Sequence, residues 1–202
     1  MVSTSMRRSE GVNRPRVLYI VDTLGMGGAE TWIMELLRYW SKNPRSPQID
    51  IVATSGNRGI FDDAATALGA DIQYIRYGRS DIVQFAKRFR RLLRSRRYAA
   101  VHDHQDYASG WHFLIGHGLM PPVRVTHVHS PWIHISANYA INRSRKLTSL
   151  IGSKLVRLLA THVCGTSAEV LRVYGFDPGG PTRPAAFAVH CGIDVEKIQW
   201  SP

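Results

Sequence analysis

Apolar and polar residues alternate in blocks along the chain, and each block fits either a strand or a helix. Residues 16–22 (RVLYIVD) form a short β-branched run that predicts a strand, and residues 29–40 place apolar side chains at the spacing of one helix face. Further strands are predicted at 49–54, 71–75, 98–104, 123–129, 161–164 and 187–190. Further helices are predicted at 61–68, 81–97, 109–119, 143–160 and 167–174.

This regular alternation predicts an α/β fold, a Rossmann-like parallel sheet with helices on both faces. The length of 202 residues suits one such domain, which we place at 16–197. Residues 1–15 are polar and basic and are predicted to be a disordered N-terminal segment. In sheets of this kind ligands bind where strands end and helices begin, so the candidate site residues are sought there.

Two of the predicted helices carry distinct patterns. Helix 143–160 has apolar residues at helical spacing that are predicted to face the core: Leu147, Leu150, Ile151, Leu155 and Leu158. Helix 81–97 has an apolar stripe, and cations fill most of its other positions. Four of these cations are candidates for contact with an anionic membrane surface: Lys87, Arg88, Arg91 and Arg94. A solvated cationic face explains the same pattern.

The charge balance favours a partner that carries phosphate. The chain has 26 Lys and Arg against 15 Asp and Glu, a formal net charge of +11. A nucleic acid is disfavoured, because the aromatic residues of helix 81–97 are not arranged among its cations as in a stacking platform, and no recognised nucleic-acid motif appears. The sequence shows neither a secretory signal nor an apolar stretch long enough to cross a bilayer, which predicts a cytoplasmic protein, at most peripheral on the inner face of the membrane. Its two cysteines, Cys164 and Cys191, are expected to be reduced.

A glycine turn joins the first predicted strand to the first helix. Gly27 and Gly28 open that helix, so their backbone amides can approach a phosphate or a sugar hydroxyl closely. A tight turn that needs glycine only for its geometry is the alternative. The spacing of the glycines does not fit a dinucleotide fingerprint, which disfavours NAD.

Histidines gather at the ends of two strands. His102 and His104 end the fourth strand, and His127 and His129 end the fifth. Side-chain alternation predicts the first pair on one face and the second pair on another. The members at the tips would hydrogen-bond a ligand, whereas His102 and His127 are also explained as core histidines.

A metal centre is the rival explanation of the histidines. The run from His102 to Asp106 resembles half of a binuclear zinc site, but Tyr107 stands where the next histidine would be, and no later Asp/His set completes the cage. Metal binding is therefore disfavoured.

The motifs taken in order resemble a known family. A strand running into GMGGAE is followed by strands ending VHDH, THVHS and CGTSAE and by a last strand running into HCGID. This set resembles the N-terminal half of family 4 retaining glycosyltransferases of the GT-B fold, in which two Rossmann-like lobes face each other across a cleft. The match covers nearly all of residues 16–197.

The resemblance implies a role for each matching position. His129 would be the catalytic residue beside the donor sugar, and Gly27 and Gly28 would lie against the donor diphosphate. The acceptor side would be lined by His104, Gln105, Asp106, Ser130 and Arg143. The donor would be a UDP- or GDP-linked sugar, the acceptor a saccharide or a lipid-linked saccharide, and no metal or other cofactor is expected.

Two departures from the family pattern limit that expectation. The family commonly has Asn before the glycine of its closing motif, where this chain has Cys191. Residues 198–202 would begin the linker to a C-terminal donor-binding lobe. The N-terminal lobe at 16–197 is expected to be inactive without that C-terminal lobe. Two alternatives stay open: a small metal-dependent hydrolase that uses both histidine pairs, and a non-catalytic module that binds sugar or phosphate.

Overall fold

The protein is described by a computed structural model. It describes residues 14–129, 143–181 and 183–192, and side chains within helix 143–159 from residue 146 onward. Ser130 and the side chain of Arg143, both predicted to line the acceptor side, therefore lie outside the described part.

Seven parallel strands form one sheet in the order β3-β2-β1-β4-β5-β6-β7. The strands are β1 (Arg16–Val21), β2 (Gln48–Ala53), β3 (Asp71–Tyr74), β4 (Ala100–Asp103), β5 (Val123–Val128), β6 (His162–Gly165) and β7 (Ala185–Ala188). The order reverses at β1, because β2 and β3 lie on one side of it and β4 to β7 on the other. In such a sheet the reversal opens a crevice at the carboxyl ends of β1 and β4.

Helices cover both faces, which confirms the predicted fold class. They are α1 (Gly28–Ser41), α2 (Asp62–Ala67), α3 (Ile82–Ser95), α4 (Ala108–Ile115), α5 (Arg143–Leu159) and α6 (Ala168–Val173). Helices α1 and α2 pack on one face through a cluster that includes Trp32, Ile33 and Ala65. Helices α3 to α6 pack on the opposite face through a larger cluster built around Phe85, Phe89 and other apolar residues.

The amphipathic pattern of α3 is confirmed on its buried side. Phe85, Phe89, Leu92 and Leu93 are buried against the sheet, whereas Ile82, at the start of the predicted stripe, is 38% exposed. Ile82 is the first residue of the helix, so the buried stripe starts one turn later, at Phe85.

The prediction for α5 is wrong in its orientation. Leu147, Leu150, Ile151 and Leu158 are exposed, Leu155 is half-buried, and the buried positions of α5 are occupied instead by Gly152 and Val156. The cause is the close crossing with α4: a Cβ on Gly110 would overlap the carbonyl oxygen of Gly152. Apolar residues occur on several sides of α5, and the small side chains decide which side faces α4.

The last strand also differs from its prediction, since β7 spans Ala185–Ala188 rather than residues 187–190. Ala186 pairs with Val163 of β6, and its carbonyl oxygen accepts a hydrogen bond from Gly179 at 3.1 Å. Pairing with β6 thus extends the strand into alanines, which have little intrinsic preference for it.

A buried charge cluster closes the amino-terminal end of the sheet. Asp50 of β2 is fully buried, and its Oδ1 accepts a hydrogen bond from Arg16 at 2.6 Å. Its Oδ2 accepts from Arg96 at 2.6 Å and from the Tyr98 hydroxyl at 2.7 Å. Arg96 also pairs with Asp71. Both carboxylate oxygens are therefore satisfied, as a buried charge requires.

Candidate functional site

The candidate site lies at the carboxyl ends of β1, β4 and β5, beside the first turn of α1. Gly27 caps α1 with extended backbone and accepts hydrogen bonds at its carbonyl from the backbone and hydroxyl of Thr31. A Cβ on Gly27 would overlap the carboxylate of Glu30, whereas a Cβ on Gly28 would meet only open space. That carboxylate is the end of a flexible side chain that can move aside, so packing requires glycine at neither position.

Four histidines form the imidazole stack, defined here as His102, His104, His127 and His129. His104 Nδ1 lies 2.9 Å from His129 Nε2, and His102 Nε2 lies 3.2 Å from His127 Nδ1. The two hydrogen-bonded pairs lie one above the other, with ring centroids 4.3 Å apart on β4 and 4.2 Å apart on β5. The pair formed by His104 and His129 lies at the strand tips.

The prediction that the two strands turn their histidines to different faces is wrong. His102 lies opposite Val125 in the parallel register, so the position two residues further along β4 lies level with His127. Alternation then directs all four histidines to the same face. The sequence contains the alternation but not the register, which is set by how β4 and β5 pair.

Aromatic side chains enclose the stack on the α1 side of the sheet. The Trp32 ring centroid lies 5.1 Å from that of His127 and 5.9 Å from that of His104. The Tyr19 ring lies 5.0 Å from that of His102. The stack is thus a polar cluster with aromatic walls on the α1 side of the sheet.

Burial keeps the imidazoles neutral. Desolvation, with a smaller contribution from neighbouring histidines, lowers the pKa of His102 to about 3 and that of His127 to about 2. Desolvation alone lowers the pKa of His129 to about 4, and the pKa of His104 also lies well below its ordinary value. At neutral pH each ring therefore offers one N–H donor and one lone pair.

Asp106 holds the tips of β4 and β5 together. Its Oδ1 accepts a hydrogen bond from the backbone N–H of His129 at 3.2 Å, and its carboxylate also accepts one from the Tyr174 side chain. The residue has a φ of 46°, a left-handed conformation that is uncommon for a side-chain-bearing residue. Burial raises the pKa of Asp106 to about 7 despite these hydrogen bonds. A half-buried acid with left-handed backbone and a raised pKa at a strand tip is typical of a functional site.

Gln105, the next predicted site residue, bridges two strand ends. Its side-chain amide donates to the hydroxyl of Thr54, just beyond β2, and its backbone N–H donates to Asp103 Oδ1 at 3.0 Å. Sequence reasoning missed the partner of that aspartate: His112 Nδ1 lies 2.7 Å from Asp103 Oδ2, and both side chains are fully buried. The spacing of nine residues between strand and helix carries no recognisable signal.

A metal ion is one further possibility for the stack. One ring nitrogen each of His102, His104 and His127 lie within 4.8 Å of one another. The nitrogens of each hydrogen-bonded pair are directed at each other, however, so a metal would have to replace those bonds. The prediction that the site works without a metal stays a prediction.

The cationic face of α3 lies outside the site. Lys87, Arg88, Arg91 and Arg94 are exposed, as their membrane role would require, whereas Arg90 donates to the carbonyls of Ile115 and His117. An open groove of about 770 Å³ runs along the helix between these cations and the apolar side chains at its start. No helix in the described residues is both long and apolar enough to cross a bilayer.

Open parallel α/β sheets bind their ligands in the crevice at such a switch point, and this sheet gathers a glycine turn, an imidazole stack and a half-buried acid there. The sequence profile of Glycosyltransferase Family 4 matches residues 26–197, and the chain belongs to this family. Membership confirms the resemblance drawn from the five motifs and disfavours the metal-dependent hydrolase.

Two curated relatives agree with this membership. EpsF of Bacillus subtilis (strain 168), a protein classed as a glycosyltransferase, is 27% identical over 186 residues, which is 91% of this chain and 47% of EpsF. CapH of Staphylococcus aureus, a capsular polysaccharide biosynthesis glycosyltransferase, is 25% identical over 150 residues, which is 73% of this chain and 39% of CapH. The chain thus spans less than half the length of these relatives.

Solved structures share the fold. Alr3699/HepE of Anabaena, crystallised with UDP and glucose, matches with a TM-score of 0.65 at 11% identity, over 92% of this chain and 47% of HepE. Its crystal structure with UDP alone matches with a TM-score of 0.62 at 11% identity, over 91% of this chain and 45% of HepE. The architecture is therefore that of a Rossmann-like lobe in GT-B glycosyltransferases.

Proposed function

We propose that the chain is the acceptor-binding lobe of a retaining glycosyltransferase, which transfers a sugar from a UDP- or GDP-linked donor to a saccharide or lipid-linked acceptor. The observation that carries this proposal is the meeting of Gly28, the His104–His129 pair and Asp106 at the carboxyl ends of neighbouring strands. Family membership, the UDP and glucose bound by HepE and the capsular polysaccharide role of CapH support it.

Each residue has a role in this proposal. His129, at the tip of β5, contacts the donor sugar and stabilises the charge that develops during transfer. Gly27 and Gly28 lie against the donor diphosphate, where the α1 N-terminus favours negative charge. His104, Gln105 and Asp106 line the acceptor side, together with Ser130 and Arg143.

A second lobe completes the site. The leaving diphosphate needs positive groups or amide donors on its far side, and preorganised electrostatics of this kind is usually the largest catalytic term. We place those groups in a C-terminal donor-binding lobe, a partner absent from this sequence. The lobe described here, taken alone, would bind ligands without turning over, and no metal takes part.

The test of this function uses the two-lobed protein and the variant His129→Ala. Transfer from UDP- and GDP-activated hexoses to saccharide acceptors is measured by product formation. Removal of a stabilising group at the reacting centre is expected to reduce kcat by about 100-fold or more. The matched control is His117→Ala, which removes an exposed histidine outside the site. Equal losses in both variants would contradict the role of His129, and transfer with neither donor class would contradict the proposed function.

We also propose that the cationic face of α3 contacts an anionic membrane on its cytoplasmic side, where a lipid-linked acceptor would be met. The exposed Val83 lies beside the cations, so the face combines charge with an apolar contact. Each cation close to an anionic surface contributes about 1 kcal/mol.

Vesicle binding tests the membrane contact. The variant changes Lys87, Arg88, Arg91 and Arg94 to Gln, and the control changes four exposed cations elsewhere to Gln: Lys42, Arg45, Lys154 and Arg172. Both variants lose the same charge. We expect the α3 variant alone to bind vesicles rich in phosphatidylglycerol at least roughly tenfold more weakly than the wild type. If both variants lost the same affinity for anionic vesicles, net charge alone would explain the binding. If the wild type bound neutral vesicles as tightly as anionic ones, the proposed contact with an anionic membrane would be contradicted.

A further inference from the structure

Two ring nitrogens in the imidazole stack are buried without a hydrogen-bond partner among the described residues. They are Nε2 of His104 and Nε2 of His127. In each of these residues the other nitrogen, Nδ1, is the one that meets the neighbouring strand. The two layers of the stack therefore repeat the same arrangement. In each layer one histidine (His104 or His127) has its Nδ1 in the hydrogen bond and its Nε2 buried, and its partner (His129 or His102) has its Nε2 in the hydrogen bond.

The repeated arrangement restricts where the protons can be. A neutral imidazole has one N–H and one lone pair, and each pair needs one donor and one acceptor between its rings. If His104 carried its proton on Nε2, that N–H would be buried without an acceptor, a situation that folded proteins rarely contain. A proton on Nδ1 avoids this and is donated to His129 Nε2. The same reasoning applies to His127 and His102.

We propose that all four histidines of the stack carry their proton on Nδ1, and that His104 is a positioning residue that directs the N–H of His129 toward the ligand. Because His129 Nε2 accepts from His104, the proton of His129 must lie on Nδ1. The nitrogen left for a ligand is then a donor. The ligand contact rests on the proposed function; the tautomers do not.

This inference assigns the two tip histidines different duties. His129 contacts the donor sugar through a fixed N–H, which suits a sugar hydroxyl or a diphosphate oxygen, both hydrogen-bond acceptors. His104 lies on the acceptor side but offers the ligand no ring nitrogen, because Nδ1 faces His129 and Nε2 is buried. A partner that fixes the tautomer of a functional histidine is a recurring device in proteins.

Nitrogen NMR tests the tautomers directly. Long-range proton–nitrogen correlations of the ¹⁵N-labelled 202-residue chain at neutral pH distinguish an Nδ1–H ring from an Nε2–H ring. We expect the Nδ1–H pattern for the four histidines of the stack, assigned by replacing each with Asn in turn. A proton on Nε2 of His129 in the wild-type chain would overturn the proposal.

Substitution of His104 tests the positioning. In His104→Asn the side-chain amide can donate from the place of Nδ1, so His129 is expected to keep its Nδ1–H. In His104→Leu no donor remains, and His129 is expected to gain an Nε2–H population. If His104→Leu does not fold, His104→Gln replaces it. The glutamine amide lies further out, near the place of Nε2, so it puts no donor at the place of Nδ1. An unchanged His129 in a folded variant without the donor would overturn the role of His104.

Transfer kinetics separate this role from a merely structural one. In the two-lobed protein we expect kcat to fall roughly 10-fold to 100-fold in His104→Leu and to recover largely in His104→Asn. Equal activity of the two variants would overturn the positioning role even if the NMR pattern holds. Absence of transfer in the wild type would count against the proposed function and leave the tautomers to be judged by NMR.

Discussion

Two buried polar clusters lie at opposite ends of the same sheet, and they are built differently. At the amino-terminal end both oxygens of Asp50 are paired, with Arg16, Arg96 and Tyr98. At the carboxyl-terminal end the imidazole stack keeps two ring nitrogens without a partner in the described part of the chain, and Asp106 is strained beside it. The first cluster is what stability requires, while the second has costs that stability does not explain.

The comparison suggests how to distinguish structural from functional polar groups in this fold. A closed cluster should matter to folding through its matched charges and hydrogen bonds. An open cluster should make the stability of the fold sensitive to protonation. Substitutions that affect only ligand binding at that end should leave the stability unchanged.

Acid should act on the carboxyl-terminal cluster most strongly. The stack histidines have pKa values in the fold far below the ordinary value of 6.5, so the unfolded chain binds more protons as the pH falls. The contribution of these histidines to stability is therefore present in full above pH 6.5 and is lost as the pH falls from 6.5 toward 4. Asp106, whose pKa is raised to about 7, acts in the opposite direction, because below pH 7 the folded state binds one proton there that the unfolded chain does not yet bind. The net loss is up to roughly 4 kcal/mol per pH unit.

Urea unfolding at several pH values measures this loss. His127→Asn removes one of the titrating groups, so the slope of stability against pH between 6 and 4.5 should fall by about 1.4 kcal/mol per unit. His117→Asn, at an exposed position, serves as the control and should keep the wild-type slope. Stability that is constant from pH 7 to pH 4.5 would show that the stack is not buried and neutral.

Asp50→Asn should damage the amino-terminal cluster next most strongly. The amide would turn N–H groups toward a guanidinium and leave Arg16 and Arg96 without their buried counter-charge. We expect a loss of about 3 kcal/mol or more in the free energy of unfolding. Asp63→Asn is the matched control, because Asp63 forms its ion pair with Arg58 at a side chain that is 93% exposed. If the two variants unfold at the same urea concentration, the closed cluster is not stabilising.

Sequence reasoning reached the elements of both clusters but not their contacts. Periodicity placed β1 within one residue of its observed end, and the ends of β4 and β5 supplied the right histidines. It could not supply the register that brings His104 against His129, nor the pairing of Asp50 with Arg96, which is 46 residues away in sequence. Such contacts depend on which strands become neighbours, and that is decided by the whole sheet.

The face of α5 shows the same limit. Its apolar residues fit more than one helical stripe, and the crossing with α4 at Gly110 and Gly152 selected the stripe with the smallest side chains. Hydrophobic spacing predicts that a helix has a buried side. A close crossing of two helices can bury a different side, because it depends on glycines and other small residues, which hydrophobic spacing does not count.

Gly110→Ala should have an intermediate effect on stability. The added Cβ would overlap the Gly152 carbonyl and lie 2.8 Å from Leu155 Cβ and 2.9 Å from the Val156 nitrogen. Because the overlap involves backbone atoms, α4 and α5 must move apart, at a cost of about 1 to 3 kcal/mol. Thermal unfolding followed by circular dichroism measures the loss. A variant as stable as the wild type would mean that the crossing is looser than described.

Gly28→Ala should have the smallest effect on stability and a large effect on binding. The added Cβ meets no atom within 4 Å, and alanine favours a helix by up to about 1 kcal/mol over glycine, so unfolding should be unchanged or slightly harder. The same Cβ lies where the proposed diphosphate approaches the helix N-terminus. Calorimetric titration of the two-lobed protein with UDP- and GDP-sugars should show at least roughly tenfold weaker binding, the cost of about 1.4 kcal/mol of lost contact. Wild-type affinity in a stable Gly28→Ala variant would mean that the ligand does not approach this turn, and that the open end of the sheet binds through the histidines alone.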